Sequence, residues 1–182
     1  MPISEQTYQQ VALEDPDNLW ELVCGHLRRK PWKTTEHESV KRTLARTLII
    51  HLDDRDFIVA MEGPKLRTSA GSYYVPDVCV FPRAFERVLR KTPGQFEVYN
   101  DPMPLVVEIW SPSTGEYDVK DKLAEYRRRG DQEIWLIHPY ERTLVAWRHQ
   151  PDGTYTESRY RDGTIKPRAL PAVEIEIQRL FE

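Results

Sequence analysis

Apolar positions along this chain follow two periods. The run Leu-Val-Val-Glu-Ile-Trp from Leu105 to Trp110 is nearly continuous, and Ile134 to Ile137 forms a second run. A charged, helix-forming stretch separates them. The pattern predicts a strand, a short helical crossover and a second strand paired in parallel. Strands of that kind are covered on both faces, which is why almost every position is apolar. Val40, Leu44, Leu48 and Leu52 instead recur every fourth residue. They predict a helix with one buried stripe, opened by a capping box at Thr35-Glu36-His37-Glu38.

Shorter elements surround these. Ser4 is placed to cap a first helix that ends before Asp15-Pro16. Leu19 to Val23 and His26 to Arg29 read as a hairpin turning at Cys24-Gly25. Phe57 to Met61 is a strand, followed by a turn at Glu62-Gly63-Pro64 and a loop or hairpin arm from Lys65 to Tyr74. Val78, Cys79 and Val80 mark a buried strand entered through Pro76. Thr143 to Arg148 and Thr154 to Tyr160 form a hairpin across Pro151-Asp152-Gly153, and Ala172 to Ile177 alternates as a half-exposed closing strand. Together these predict one α/β domain over residues 1–182, with a C-terminal β-hairpin extension.

Composition adds exclusions. A net charge of -3 argues against a globally basic nucleic-acid binder but leaves room for a local basic groove. No apolar run reaches the roughly 18–20 residues of a membrane span. The first residues lack a basic stretch followed by an apolar core, so no secretion signal is expected. Cys24 and Cys79 stand alone, with no zinc or disulfide spacing, and a cytoplasmic setting is expected.

Chemistry enters at Glu108, a carboxylate inside an apolar strand. Burying even a neutral polar group unpaired costs about 2–7 kcal/mol, and a charge costs more. A metal ion or a nearby cation would offset that cost, and a buried pair with an arginine is the structural alternative. Asp77 opens the other buried strand, where a turn residue bonding its own backbone is the alternative. Two carboxylates from different strands converging at one sheet edge make a hard oxygen site, suited to Mg²⁺ or Mn²⁺. Two residues beyond Glu108, on the same strand face, stands Trp110, which does no acid–base work. Lys122 edges the stripe Val119, Leu123 and Tyr126 and could reach Glu108. Spacing alone favours a surface pair with Asp118, four residues earlier. His26, His37, His51, His138 and His149 show no metal-ligand spacing, and each reads as structural or exposed. Lys41, Arg42 and Arg46 read as a solvated helix face. Arg127-Arg128-Arg129 and the patch Arg83, Arg87, Arg90 and Lys91 could contact phosphates or simply be solvated.

Several of these segments together resemble the Uma family of bacterial restriction-endonuclease-like proteins, within the PD-(D/E)xK superfamily. They are Val75-Pro-Asp-Val, Val106-Val-Glu-Ile-Trp-Ser-Pro-Ser-Thr114, then Asp118, Lys122, Tyr126, Gly130, Glu133 and Trp135-Leu-Ile-His-Pro139. Trp20-Glu21-Leu-Val-Cys-Gly25, His37 at the head of the long helix and the segment from Leu170 to Phe181 extend the likeness to nearly the full length. The resemblance implies a restriction-endonuclease-like fold, a central mixed β-sheet flanked by helices, with Asp77 and Glu108 as metal ligands and a catalytic lysine moved from the strand to the following helix, which matches Lys122. It also implies that Glu21, otherwise a surface hairpin acid, can join the site. His138 stands where the family usually has Asp. The expected activity is a Mg²⁺-dependent endonuclease acting on DNA, with a homodimer expected because each site cuts one strand. The alternative is a non-catalytic member of the same fold that binds nucleic acid or protein.

Overall fold

Ser4 caps the first helix, α1 (Glu5–Glu14), accepting a hydrogen bond from Thr7 N at 3.1 Å. The hairpin of β1 (Trp20–Val23) and β2 (His26–Arg29) follows, with Leu22 opposite Leu27. Its turn holds Gly25 at φ 80°, and a Cβ there would lie 2.4 Å from Pro2 Cβ, so only glycine fits. The long helix α2 (Thr35–His51) is capped by Thr34, one residue earlier than expected. Thr34 keeps extended backbone angles while its Oγ1 accepts from His37 N at 3.3 Å. Two adjacent threonines made both positions plausible caps; the backbone angles select the first.

Next come β3 (Phe57–Met61), β4 (Lys65–Arg67), β5 (Tyr73–Tyr74), β6 (Val78–Pro82), α3 (Arg83–Leu89) and β7 (Val98–Tyr99). The crossover unit follows as β8 (Leu105–Ile109), a π-helical turn (Asp118–Lys122), α4 (Leu123–Arg129) and β9 (Glu133–His138). The chain closes with β10 (Thr143–His149), β11 (Tyr155–Tyr160), β12 (Thr164–Ile165), β13 (Ile175–Glu176) and a 3₁₀ turn (Ile177–Phe181). The computed structural model describes residues 2–89, 96–113 and 117–182. Arg90 and Lys91 of the expected basic patch lie outside the described residues, as do the side chains of Asp118 and Val119.

Both larger sheets are mixed. The central one has six strands in the order β11-β10-β9-β8-β6-β3, and β8 and β9 run parallel as the apolar runs predict. The second has five, in the order β2-β1-β5-β4-β7. The β10–β11 hairpin continues the central sheet, with Ala146 opposite Trp135. The closing strand is shorter than expected: only Ile175 and Glu176 pair, against Ile165 and Thr164, before the 3₁₀ turn begins. Its alternation is nevertheless real, because Val173, Ile175 and Ile177 are all buried.

Side chains alternate across the central sheet. Val78, Val80, Leu105, Val107 and Ile109 pack beneath α2 and the C-terminal segment. Cys79, Phe81 and Val106 face the other way, into a layer containing Tyr126 of α4 and Leu66, Tyr74 and Tyr99 of the smaller sheet. Glu108 follows Val106 by two residues, so it faces this second layer, under α4. Gly130 ends α4 in the left-handed conformation (φ 78°), its N–H returned to Arg127 O.

Candidate active site

Asp77 stands at the entrance of β6, one step beyond the Val78–Val107 pair, which places it opposite Glu108 on β8. It is fully buried. Its Oδ2 accepts from Ile109 N at 2.8 Å and meets His37 Nε2 at 3.0 Å, while Lys30 Nζ lies 2.8 Å from Oδ1. It is therefore not a turn residue bonded to its own backbone. Burial alone would push its carboxyl upward. The Lys30 charge, the His37 hydrogen bond and the Lys33 charge outweigh burial and hold it well below the usual range. Lys30 keeps its proton for the reciprocal reason: burial disfavours the charge, and Asp77 leads the opposing contributions, so its pKa is raised.

Glu108 is paired with a lysine, not an arginine. Its Oε1 accepts from Lys122 Nζ at 3.1 Å and from Tyr126 OH at 2.6 Å. Lys122, buried to 1 % exposure, also reaches Glu21 Oε1 at 2.9 Å. Lys122 is thus a buried lysine and not the surface one that spacing alone favoured. The chain reaches Lys122 through the π-helical turn Asp118–Lys122, wider than an α-helical one. Glu21 is no surface acid either. It is 1 % exposed and accepts from Val75 N at 2.9 Å and Tyr117 OH at 3.1 Å. Burial raises its pKa, but Lys122 and Lys30 more than compensate and it ends lowered.

Glu21, Asp77 and Glu108 therefore gather around the ammonium groups of Lys30 and Lys122, which leaves one net negative charge before His37 is counted. His37, marked by the family resemblance and otherwise read as structural or exposed, is fully buried on Asp77. Lys41 is 6 % exposed and bridges Glu38 and Glu62 at 2.8 and 3.1 Å, so it does not belong to the solvated face; Arg42 and Arg46 do. Lys30 carried no pattern signal at all, since it sits in the loop after β2. His37 and Lys41 are four residues apart on α2 and share a face.

Hard oxygen donors on neighbouring strands suit Mg²⁺ or Mn²⁺. Among the described residues no group of three His, Cys, Asp or Glu side chains is arranged to hold a metal ion unaided. Magnesium usually keeps several waters and takes only one or two carboxylates. The donor set thus fits a part-hydrated ion held by Asp77 and Glu108, once Lys30 yields its place on Asp77. Replacing one ammonium by a dication would also neutralise the cluster.

The other candidates are placed elsewhere. His138 stacks on Trp110 with ring centroids 4.3 Å apart, and its Nδ1 accepts from Glu141 N. Glu133 is buried among Trp135 Nε1, Arg148 Nε and Arg168 N. Arg129 is buried against Asp131 and the Asp101 carbonyl, Arg128 pairs with Glu125, and Arg127 lies over the Trp147 ring. Arg83 is tied to Glu86 and the Asp54 carbonyl. No helix among the described residues is long and apolar enough to cross a membrane.

The fold is a mixed α/β one similar to a solved structure. It superposes with a TM-score of 0.73 on the crystal structure of a putative nuclease belonging to DUF820 from Anabaena variabilis, at 21% identity and 89% coverage of each chain. Residues 5–178 match the model of the Uma2 family, putative restriction endonuclease, and the chain belongs to that family. No curated protein matches it significantly.

Proposed function

We propose that the protein is a metal-dependent endonuclease that hydrolyses phosphodiester bonds in DNA, with Asp77 and Glu108 holding Mg²⁺ or Mn²⁺. The observation that carries this reading is the meeting of Lys122 with Glu108 at 3.1 Å, next to Asp77 on the neighbouring strand. A bound dication supplies charge to the phosphate and lowers the pKa of coordinated water. Lys122 orients the attacking water and offsets the negative charge that builds on phosphate oxygen. Glu21 fixes Lys122 from the far side, and Tyr126 fixes Glu108. Water oxygen bonds to phosphorus as one ester P–O bond breaks; the water gives up a proton to solvent, and the leaving oxygen takes one from solvent to become a hydroxyl.

Purified protein on linear and supercoiled DNA, with Mg²⁺ or Mn²⁺ and then with a chelator, tests this. Cleavage is expected to need the metal and to disappear in Asp77→Ala and Lys122→Ala. Cleavage unchanged by both substitutions rejects the assigned site. Cutting both strands needs two such sites, which a two-fold dimer supplies. Light scattering at micromolar protein is expected to show a dimer, and a monomer would argue for nicking.

A second reading, a binding protein on the same fold, is favoured by one observation. The charged groups of the cluster are already buried against one another. Failure of any divalent ion to bind would decide for it.

A further inference from the structure

Beside the charged cluster lies a cleft of about 500 Å³, lined among others by Arg29, Lys30, Trp32, Lys33 and Lys41. Lys30 belongs to both places: it lines the cleft, and its ammonium holds Asp77. The cleft therefore ends at Lys30, the residue that covers the carboxylate proposed to hold the metal. Two of its acids, Glu38 and Glu62, are occupied by Lys41. Lys33 acts from the same segment on Asp77, whose carboxyl its charge helps to hold down.

Trp32 is 94% exposed at this cleft. Tryptophan is among the more buried residue types, and here nearly its whole ring meets water. Its backbone is nevertheless pinned on both sides. Lys30 is fixed by Asp77 and by the Val75 carbonyl at 2.8 Å. Thr34 caps α2 and accepts from Tyr140 OH at 3.1 Å. Pro31 stiffens the short link between them. The result is an open aromatic face held beside cationic groups. A planar ring joined to an anion complements it, and a nucleotide is such a pair.

We infer that Trp32 receives an unpaired nucleobase next to the phosphate that enters the cleft, so that the substrate is a single-stranded or locally unpaired nucleic acid. This rests on the nuclease reading for the identity of the phosphate, and it narrows that reading. In an intact duplex both faces of each base are covered by stacking, and exposing one costs energy before Trp32 can be reached. An unpaired strand offers the face directly.

Fluorescence anisotropy of a labelled single strand and of its duplex, both without divalent metal, provides the test. The single strand is expected to bind more tightly than the duplex and to quench tryptophan emission. Trp32→Ala should weaken single-strand binding about tenfold, and Trp32→Phe should restore most of it. The ring makes little contact with the rest of the protein, so neither change should affect folding. Single-strand binding unchanged in Trp32→Ala overturns the inference, as does equal weakening of duplex binding. Metal-dependent cleavage of duplex by Trp32→Ala at the wild-type rate would overturn it while leaving the nuclease reading intact. Trp32-dependent binding without cleavage under any metal would remove the nuclease reading and keep the stacking site.

Discussion

Lys30 Nζ and Asp77 Oδ1 meet at 2.8 Å, with side chains 4% and 0% exposed, so the lysine stands where an ion held by Asp77 would compete. Breaking a buried pair by removing one partner costs about 3–5 kcal/mol. Lys30→Met is expected to lower metal-free stability by about that much. A ligand that binds only the folded state restores stability by mass action. Mn²⁺ should therefore raise the melting temperature of Lys30→Met more than that of the wild type. Equal shifts in the two proteins would show that Lys30 and the ion do not share a place.

Lys122 is the sole described ammonium within 4 Å of Glu108 and also serves Glu21. Lys122→Met leaves two buried carboxylates short of a cation, and a loss of about 3–5 kcal/mol is expected in urea unfolding. A surface pair with Asp118 would be worth only about 0.3–0.5 kcal/mol. A loss of that smaller size would contradict the buried arrangement.

Tyr126 donates to Glu108 at 2.6 Å within the core. A hydrogen bond to a charged group contributes about 1.5–3 kcal/mol. Tyr126→Phe should cost stability in that range and keep the fold by circular dichroism. A neutral substitution would place the hydroxyl's value elsewhere.

Acid should unfold the protein through its carboxylates. Asp77 and Glu21 have ordinary values of 3.8 and 4.5, and in the fold both are depressed: burial opposes this, and Lys30 and Lys122 respectively prevail. A depressed acid contributes stability that is present above its unfolded value and lost as pH falls through the folded one. Stability should thus decline below about pH 4.5. Asp131, raised by burial, works in the opposite sense and softens the decline. Lys30 is raised from 10.5, so its contribution is complete below that value and is lost as pH climbs through the folded one. Urea midpoints against pH should show both limbs, with the acid limb shallower in Asp77→Asn. An acid limb unaltered by that change would remove Asp77 from the linkage.

Much of this arrangement was readable from residue order. The apolar runs around Glu108 and Ile134 declared a parallel pair because only strands covered on both faces lack polar alternation. Asp77 and Glu108 stood out because charge inside such runs is costly. Lys30 and Tyr126 did not. One lies in a loop, where no period constrains direction. The other looked like any buried aromatic until its hydroxyl was seen on Glu108. Spacing alone favoured a surface place for Lys122, and the family resemblance was what pointed it to Glu108. His37 was marked by the family resemblance, but its contact with Asp77 was not legible, because a helix N-terminus exposes some side chains and buries others according to what packs against it.

The most direct measurement is an anomalous difference map from crystals soaked in Mn²⁺. A peak bonded to carboxylate oxygens of Asp77 and Glu108 is expected, with the Lys30 side chain swung away into the cleft. A map without a peak there, with Lys30 still seated on Asp77 at saturating Mn²⁺, would contradict the proposed metal site.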